Sequence, residues 1–201
     1  MKKILLCFAI CIIFLTGCGK EKYENPIVVM NIKDYGSITI ELYPDEAYNT
    51  VANFVNLIED GFYNGNTIHR LAKGFVIQGG DPTATGQGGP GYTIKGEFAL
   101  NGVNNGISHT KGVISMARSD NYNSAGSQFF IVLDDSAKTS LDGKYAAFGK
   151  VTEGMDIIET IENAGLELAD ETSGMLKEPL TIENVTVHTK GHTYTVEKYE
   201  N

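Results

Sequence analysis

The sequence contains no tryptophan, only five prolines and only three cysteines among its 201 residues. The three cysteines, Cys7, Cys11 and Cys18, all lie near the N-terminus, so the rest of the chain has no thiol for a disulfide framework or a cysteine-ligated metal. Beyond the N-terminus, no apolar run approaches the roughly 20 residues that a membrane-spanning helix requires. These absences exclude a disulfide-stabilised scaffold and a main body made of spanning helices.

Basic residues are also scarce, with 16 lysines and arginines against 25 aspartates and glutamates, a formal net charge of −9. Non-specific binding to nucleic acid depends on clustered basic side chains that displace counterions, so this balance argues against a nucleic-acid partner. The four histidines, at positions 69, 109, 188 and 192, do not have the spacing of metal ligands. We therefore expect no metal site.

The chain is ordinary in its apolar content, with 42% hydrophobic residues, and it contains 23 glycines in short scattered groups. This composition is typical of a folded protein with many turns, and the length suits a single domain. One glycine-rich segment, Gly86–Gly91, matches the pattern GxGxxG, but Pro90 and the residues after it do not begin a helix. Since a dinucleotide site needs that helix, we interpret the segment as a surface loop.

The N-terminus has the pattern of an export signal. Lys2 and Lys3 precede an apolar run of 12 residues, Ile4–Leu15, which is too short to span a bilayer and suits the core of a signal peptide. The next residues complete the sequence Leu-Thr-Gly-Cys at positions 15–18, which resembles the lipobox of bacterial lipoproteins. A plain secretory signal or an uncleaved anchor is the alternative.

The lipobox resemblance implies that residues 1–17 are removed and that Cys18 carries the lipid. Two acyl chains hold a protein stably on a membrane, whereas a single chain does not. Residues 18–25 would then be the lipidated cysteine with a short tether. We expect a lipoprotein on the extracytoplasmic face of the bacterial cell membrane, attached through its lipid anchor.

Short apolar runs separated by turn residues predict a mainly β fold. Strict alternation over Ser37–Leu42 is typical of a strand with one buried face, and helical spacing over Ala47–Ile58 and Met155–Ile161 predicts two amphipathic helices. The remaining strand candidates are Ile27–Ile32, Thr67–Leu71, Phe75–Gln78, Gly112–Met116, Gln128–Leu133, Ala146–Lys150 and Leu180–His188. Together they favour a closed barrel capped by helices. We place this domain at residues 26–190, followed by a C-terminal extension, 191–201, whose role the sequence does not indicate.

Two stretches carry longer motifs. The first, Ile68–Asp81, reads IHRLAKGFVIQGGD. The second lies within Ser115–Val151 and contains SMAR, GSQFFI, LDGKY and FGKV in that order. Both stretches resemble the cyclophilin-type peptidyl-prolyl isomerases, and the resemblance extends from about Ile27 to Val187. It implies a closed eight-stranded antiparallel β-barrel capped by two α-helices, and an enzyme that isomerises X-Pro bonds without a cofactor.

The resemblance also implies a set of site residues. Arg70 corresponds to the catalytic arginine of the family, and Gln78 to the residue that orients it. The residues that correspond to the proline pocket are Phe75, Val76, Phe130 and Leu141. Those that correspond to other substrate contacts are Ala117, Arg118, Gln128 and Tyr145, with Arg118 acting mainly through its backbone. The implied partners are proline-containing polypeptides, including exported proteins that are still folding, and the implied oligomeric state is a monomer.

The alternation of side chains along a strand places Arg70 and Ile68 on one face and His69 on the other. Val76 is smaller than the methionine frequent in the family, which suggests a looser proline pocket. Ser140 replaces a common tryptophan, so we expect weak inhibition by cyclosporin.

Two further departures concern substrate contacts. Tyr145 replaces a frequent histidine, and its ring can stack in place of the imidazole, so activity should survive. A one-residue insertion within Asn121–Ser124 could reshape the pocket for residues before proline. These departures and those at Val76 and Ser140 keep one alternative open, a non-catalytic module that binds proline-containing peptides.

Overall fold

The computed structural model describes residues 24–199 and shows a closed β-barrel with helices outside it. The strands are β1 (Ile27–Ile32), β2 (Gly36–Leu42), β3 (Thr67–Ala72), β4 (Val76–Asp81), β5 (Val113–Met116), β6 (Phe129–Val132), β7 (Ala147–Glu153), β8 (Leu168–Asp170) and β9 (Met175–His188). The α-helices are α1 (Tyr48–Glu59), α2 (Lys138–Leu141) and α3 (Met155–Asn163). The predicted signal peptide, Cys18 and residues 19–23 lie outside the described residues.

Eight antiparallel strands form the barrel in the order β1-β2-β7-β5-β6-β4-β3-β9, and pairing of β9 with β1 closes it. The predicted eight-stranded barrel with α1 and α3 outside it is therefore confirmed. The structure adds the single turn α2 and the short strand β8, which pairs only with the start of β9. None of the described helices is both long enough and apolar enough to cross a bilayer.

Helix α1 packs its apolar face on an aromatic cluster. Phe54 lies 5.0 Å from the ring of Tyr63, 5.7 Å from Phe129 and 5.1 Å from Phe148, measured between ring centroids. All four side chains are almost completely buried, which removes their large apolar surfaces from water. The helix ends at Glu59, and Gly61 follows with a φ of +70°, a conformation that glycine adopts without strain.

One local expectation was wrong. The register between β3 and β4 shifts between Ile68 and Arg70, which pair with Gly79 and Gln78, respectively. This irregularity interrupts the alternation of side chains, so Ile68 lies in the main hydrophobic core together with Leu71. Arg70 instead lines a cavity at the surface, and the two residues do not share a face.

Candidate functional site

A cavity of about 180 Å³ opens on the outside of the barrel, over β3, β4 and β6. Alternate residues of β6 divide between two clusters: Phe129 and Ile131 belong to the main core, whereas Phe130 and Val132 belong to a second cluster beside the cavity. The residues that line it are Arg70, Phe75, Val76, Gln78, Ala117, Arg118, Phe130, Leu141 and Tyr145. These are nine of the ten predicted site residues, and the tenth, Gln128, lies in the adjoining groove.

The apolar wall of the cavity is centred on Phe130, whose side chain is 4% exposed. Its ring lies nearly perpendicular to that of Tyr145, with 5.6 Å between centroids, and Val76 and Leu141 belong to the same cluster. Such a wall excludes water from one side of a small ring placed against it. The cavity is therefore suited to an apolar group of about the size of a proline ring.

Two buried polar residues, His109 and Ser115, and the exposed Asp142 lie behind this wall. Nδ1 of His109 lies 2.9 Å from a carboxylate oxygen of Asp142, its Nε2 lies 3.0 Å from Oγ of Ser115, and its ring stacks on Phe130. The arrangement resembles the serine–histidine–aspartate set of hydrolases, but Ser115 is completely buried. No substrate carbonyl can reach its hydroxyl. The set instead supports Phe130, on which the His109 ring stacks. Sequence reasoning did not connect these residues, because no local pattern joins them.

His109 and His69 are both buried, and burial lowers the pKa of each imidazole. This effect outweighs the opposite effects of Asp142 on His109 and of Asp81 on His69. Protonation therefore favours the unfolded chain, in which each imidazole has its ordinary pKa near 6.5. We expect the free energy of unfolding to be highest above about pH 6.5 and to fall as the pH drops below it. Urea unfolding at pH 8, 6.5 and 5.5 measures this.

In the His69→Gln variant, the decline between pH 6.5 and 5.5 should be smaller than in the unmodified chain, because one of the two groups is gone. This pH range lies above the ordinary titration of carboxyl groups, which separates the histidines from them. A stability that stays level from pH 8 to pH 5.5 would contradict the prediction.

Arg70 is held at the rim of the cavity by neutral oxygen atoms. Its Nε donates a hydrogen bond to the backbone carbonyl of Ser173 at 2.6 Å, and one terminal nitrogen donates to Oε1 of Gln78 at 3.2 Å. Half-burial lowers the pKa of Arg70, but a guanidinium remains charged at neutral pH. Among residues 24–199, no carboxylate lies within 4.0 Å of it.

A chain of amides fixes Gln78 in turn. Nε2 of Gln78 donates to Oε1 of Gln128 at 2.9 Å, and Nε2 of Gln128 donates to the carbonyl of Gly88 at 2.9 Å. Arg70 is therefore oriented from two sides, by the hydrogen-bonded amides of Gln78 and Gln128 and by the turn between β8 and β9 that carries Ser173. Because Ser173 contributes only a backbone oxygen, the residue type at this position does not indicate the contact with Arg70.

The side chain of Arg118 packs over two aromatic rings beside the cavity. Its guanidinium carbon stands 4.6 Å from the ring centroid of Tyr145 and 5.0 Å from that of Tyr122, and its Nε donates to the carbonyl of Lys144. Cation–π contacts of this kind hold aromatic rings in place. The side chain of Arg118 thus supports Tyr145.

A wider groove of about 820 Å³ continues from the cavity and shares Gln78, Ala117 and Arg118 with it. The glycine-rich loop at 86–91 forms one of its edges and, as interpreted from the sequence, is not followed by a helix. The buried carboxylate of Asp81 anchors this loop by accepting hydrogen bonds from backbone amides, including those of Thr83 and Gly86. Burial alone would raise the pKa of Asp81, but the hydrogen bonds outweigh it and hold the pKa at about 2.

The site combines a small apolar cavity, a fixed guanidinium beside it and an adjoining groove of about 820 Å³. In the part of the chain that the structure describes, no group of three or more histidine, cysteine or acidic residues could hold a metal ion. Such a site can bind a polypeptide by a small ring and direct a charged donor at a neighbouring amide. The fold and site define a barrel protein with a candidate polypeptide-binding surface.

Comparison with known proteins identifies the family. The model of the family described as "Cyclophilin type peptidyl-prolyl cis-trans isomerase/CLD" matches residues 27–187. The chain therefore belongs to the cyclophilin-type peptidyl-prolyl cis-trans isomerases, and its activity is isomerisation of the peptide bond before proline.

Curated relatives agree with this assignment. The chain is 46% identical over 132 residues to the peptidyl-prolyl cis-trans isomerase B of Bacillus subtilis (strain 168), an alignment that covers 66% of this chain and 87% of the relative. It is 43% identical over 133 residues to a peptidyl-prolyl cis-trans isomerase of Helicobacter pylori (strain ATCC 700392 / 26695), covering 65% and 77%.

Solved structures are also similar. A cyclophilin type peptidyl-prolyl cis-trans isomerase from Cryptosporidium parvum superposes with a TM-score of 0.71 at 30% identity, covering 82% of this chain and 98% of that chain. A structure of the same protein in the presence of the dipeptide Ala-Pro has a TM-score of 0.68 at 29% identity, with coverage of 82% and 99%.

Proposed function

We propose that Arg70 accelerates isomerisation by stabilising the twisted amide between residue X and proline. Amide resonance holds this bond planar behind a barrier of about 18–20 kcal/mol. Twisting breaks the resonance and returns a lone pair to the prolyl nitrogen. A guanidinium directed at that nitrogen bonds strongly only in the twisted state, and this difference is what lowers the barrier. The observation that carries the proposal is the charged guanidinium of Arg70 at the cavity rim, held only by neutral oxygens.

The hydrogen bond from Arg70 and the apolar cavity must both contribute to lowering the barrier. To shorten cis/trans exchange from tens of seconds to about a millisecond requires an acceleration of roughly 10⁴-fold, which corresponds to lowering the activation barrier by about 5.5 kcal/mol. A hydrogen bond to a charged group contributes about 1.5–3 kcal/mol. The remainder must come from the apolar cavity, where Phe130 and its neighbours hold the proline ring and exclude water from the amide. The proline-containing polypeptide is thus bound by its ring and rotated about the preceding bond.

NMR exchange spectroscopy on a short Xaa-Pro peptide tests this function, using soluble protein that begins at Gly19. We expect the protein to accelerate exchange between the cis and trans forms. Saturable binding of the peptide without any acceleration would overturn the proposal in favour of a non-catalytic binding module. The same measurement made with the drug cyclosporin should show only weak inhibition, since Ser140 stands where the family commonly has tryptophan.

We further propose that the protein is lipid-anchored on the extracytoplasmic face of the cell membrane and assists the folding of exported proteins. The supporting observation is the sequence Leu-Thr-Gly-Cys at positions 15–18, which resembles a lipobox and follows a short apolar run that suits a signal core. The chain joins the barrel directly after the tether, because Nδ2 of Asn25 donates a hydrogen bond to Oε1 of Glu41 in β2 at 3.1 Å. Six Cα–Cα steps of at most about 3.5 Å each lead from Cys18 to Glu24, so the tether would keep the barrel within about 20 Å of its lipid. We expect the anchored protein to be a monomer.

Replacing Cys18 with serine should abolish membrane attachment, because serine has no thiol to receive the diacylglyceryl group. We expect the unmodified protein in the membrane fraction, with an intact mass that shows loss of residues 1–17 and addition of acyl chains. The Cys18→Ser variant should lack this modification and retain its signal peptide. A Cys11→Ser variant is the control and should behave as the unmodified chain does. Identical processing and mass shifts in all three would contradict the anchor.

A further inference from the structure

The C-terminal segment at 191–199 lies beyond the family match, which ends at residue 187. It nevertheless packs on the barrel near the start of α1. The side chain of Tyr194 is only 5% exposed and lies 5.9 Å from Tyr48 between ring centroids, and Val196 packs against the main core. The segment is therefore an ordered part of the fold.

Two hydrogen bonds fix the segment beside the groove. Nδ2 of Asn49 donates to the carbonyl of Glu197 at 2.9 Å, and the amide of Glu197 donates back to Oδ1 of Asn49 at 2.7 Å. This reciprocal pair satisfies both backbone groups of Glu197. Since Asn49 belongs to α1, the direction of the chain after Glu197 is set by a rigid element.

The end of the segment then joins the edge of the groove. The amide of Tyr199 donates to the carbonyl of Thr93 at 2.8 Å, which makes an antiparallel bridge, and the ammonium of Lys198 stands 4.2 Å from the ring centroid of Tyr92. Tyr199 is 38% exposed and lines the groove together with the glycine-rich loop and Gln128. An exposed aromatic ring is thereby held at a defined place on a binding surface.

The groove is continuous with the proline cavity through Gln78, Ala117 and Arg118. When the proline of a polypeptide fills the cavity, the residues that flank the proline must lie over a neighbouring surface. At about 820 Å³, the groove has room for more than one of these flanking residues. Apart from Arg118, the side chains that line it are uncharged. The surface thus suits uncharged and aromatic substrate residues better than acidic or basic clusters.

We propose that the C-terminal segment forms an outer wall of the substrate groove and that Tyr199 is a specificity-determining residue. Its ring packs against an apolar or aromatic side chain of the substrate that lies outside the X-Pro pair. The proposal rests on the proposed function, because it takes the polypeptide bound at Arg70 as the occupant of the groove. An aromatic contact of this kind changes binding by about three- to tenfold.

The test compares a four-residue Ala-Pro peptide with longer peptides that carry a phenylalanine, or an aspartate in its place, at successive positions on either side of that core. We measure kcat/KM by exchange spectroscopy and Kd by titration for the unmodified chain and for Tyr199→Ala, Tyr199→Phe and Thr195→Ala. In Tyr199→Ala, the ratio of kcat/KM for the best phenylalanine peptide to that for the short peptide should fall about three- to tenfold. Tyr199→Phe should preserve the ratio, and so should the exposed control Thr195→Ala.

An unchanged ratio in Tyr199→Ala would overturn the proposal, and so would an equal loss on short and long peptides, since that indicates a structural role. Failure of the proposed function is a separate result, in which the unmodified chain does not accelerate exchange of any peptide. The titrations still test the Tyr199 contact in that case. Loss of affinity in Tyr199→Ala for the phenylalanine peptide alone would support the contact, and affinities equal to those of the unmodified chain would exclude it.

Discussion

Arg70→Ala should lower kcat/KM for a Xaa-Pro peptide by about 10²–10³-fold, the loss that follows removal of a fixed donor to developing charge in a water-poor site. The variant removes the charged donor at the cavity rim, while the apolar wall around Phe130 remains. Binding of the peptide should therefore weaken much less than turnover. Exchange spectroscopy gives the rate, and titration of the same peptide gives the affinity.

The fold should survive this substitution, because Arg70 is only half-buried and its partners, Ser173 and Gln78, can be hydrated at the surface. Circular dichroism and thermal unfolding check this. Arg70→Lys is the matched control for charge, since lysine keeps the positive charge but cannot make the forked contacts to two oxygens. We expect it to retain only a part of the activity. Turnover equal to that of the unmodified chain in Arg70→Ala would refute the mechanism.

The barrel was predictable because its strands obey simple periodicities. Ser37–Leu42 alternates apolar and polar residues, and the apolar residues of α1 recur at helical spacing up to the glycine that ends it. The site residues were found differently, through resemblance to a family, since residues as far apart in sequence as Arg70 and Tyr145 meet only in the folded barrel. Their roles in catalysis remain predictions that the substitutions above would test.

The features that sequence reasoning missed depend on backbone geometry. The register shift between Ile68 and Arg70 breaks the alternation that a single strand would show, and nothing in the residue types marks it. Ser173 holds Arg70 through its carbonyl, a group that every residue carries. The C-terminal segment is held partly through the backbone of Glu197 and Tyr199, and its inward side chains, Tyr194 and Val196, form too short an alternation to predict where it docks.

Phe130→Ala should weaken peptide binding and turnover together, because the ring is the wall against which the proline packs. Burial of a phenylalanine also stabilises the fold, and its truncation to alanine typically costs about 3–5 kcal/mol. Loss of activity alone would therefore not distinguish a missing wall from a less stable protein. Phe54 offers a matched control, since it is equally buried but lies in the aromatic cluster under α1 and not at the cavity.

Both variants should lower the free energy of unfolding by similar amounts, about 3–5 kcal/mol, measured by urea unfolding. Only Phe130→Ala should raise the Kd and KM for a Xaa-Pro peptide, by about tenfold or more when the measurements are made well below the unfolding transition. The reason is that Phe54→Ala leaves Val76, Leu141 and Tyr145 with their partner in place. If Phe54→Ala weakened peptide affinity as much as Phe130→Ala, the cavity would depend on the stability of the whole barrel and Phe130 would not be its wall.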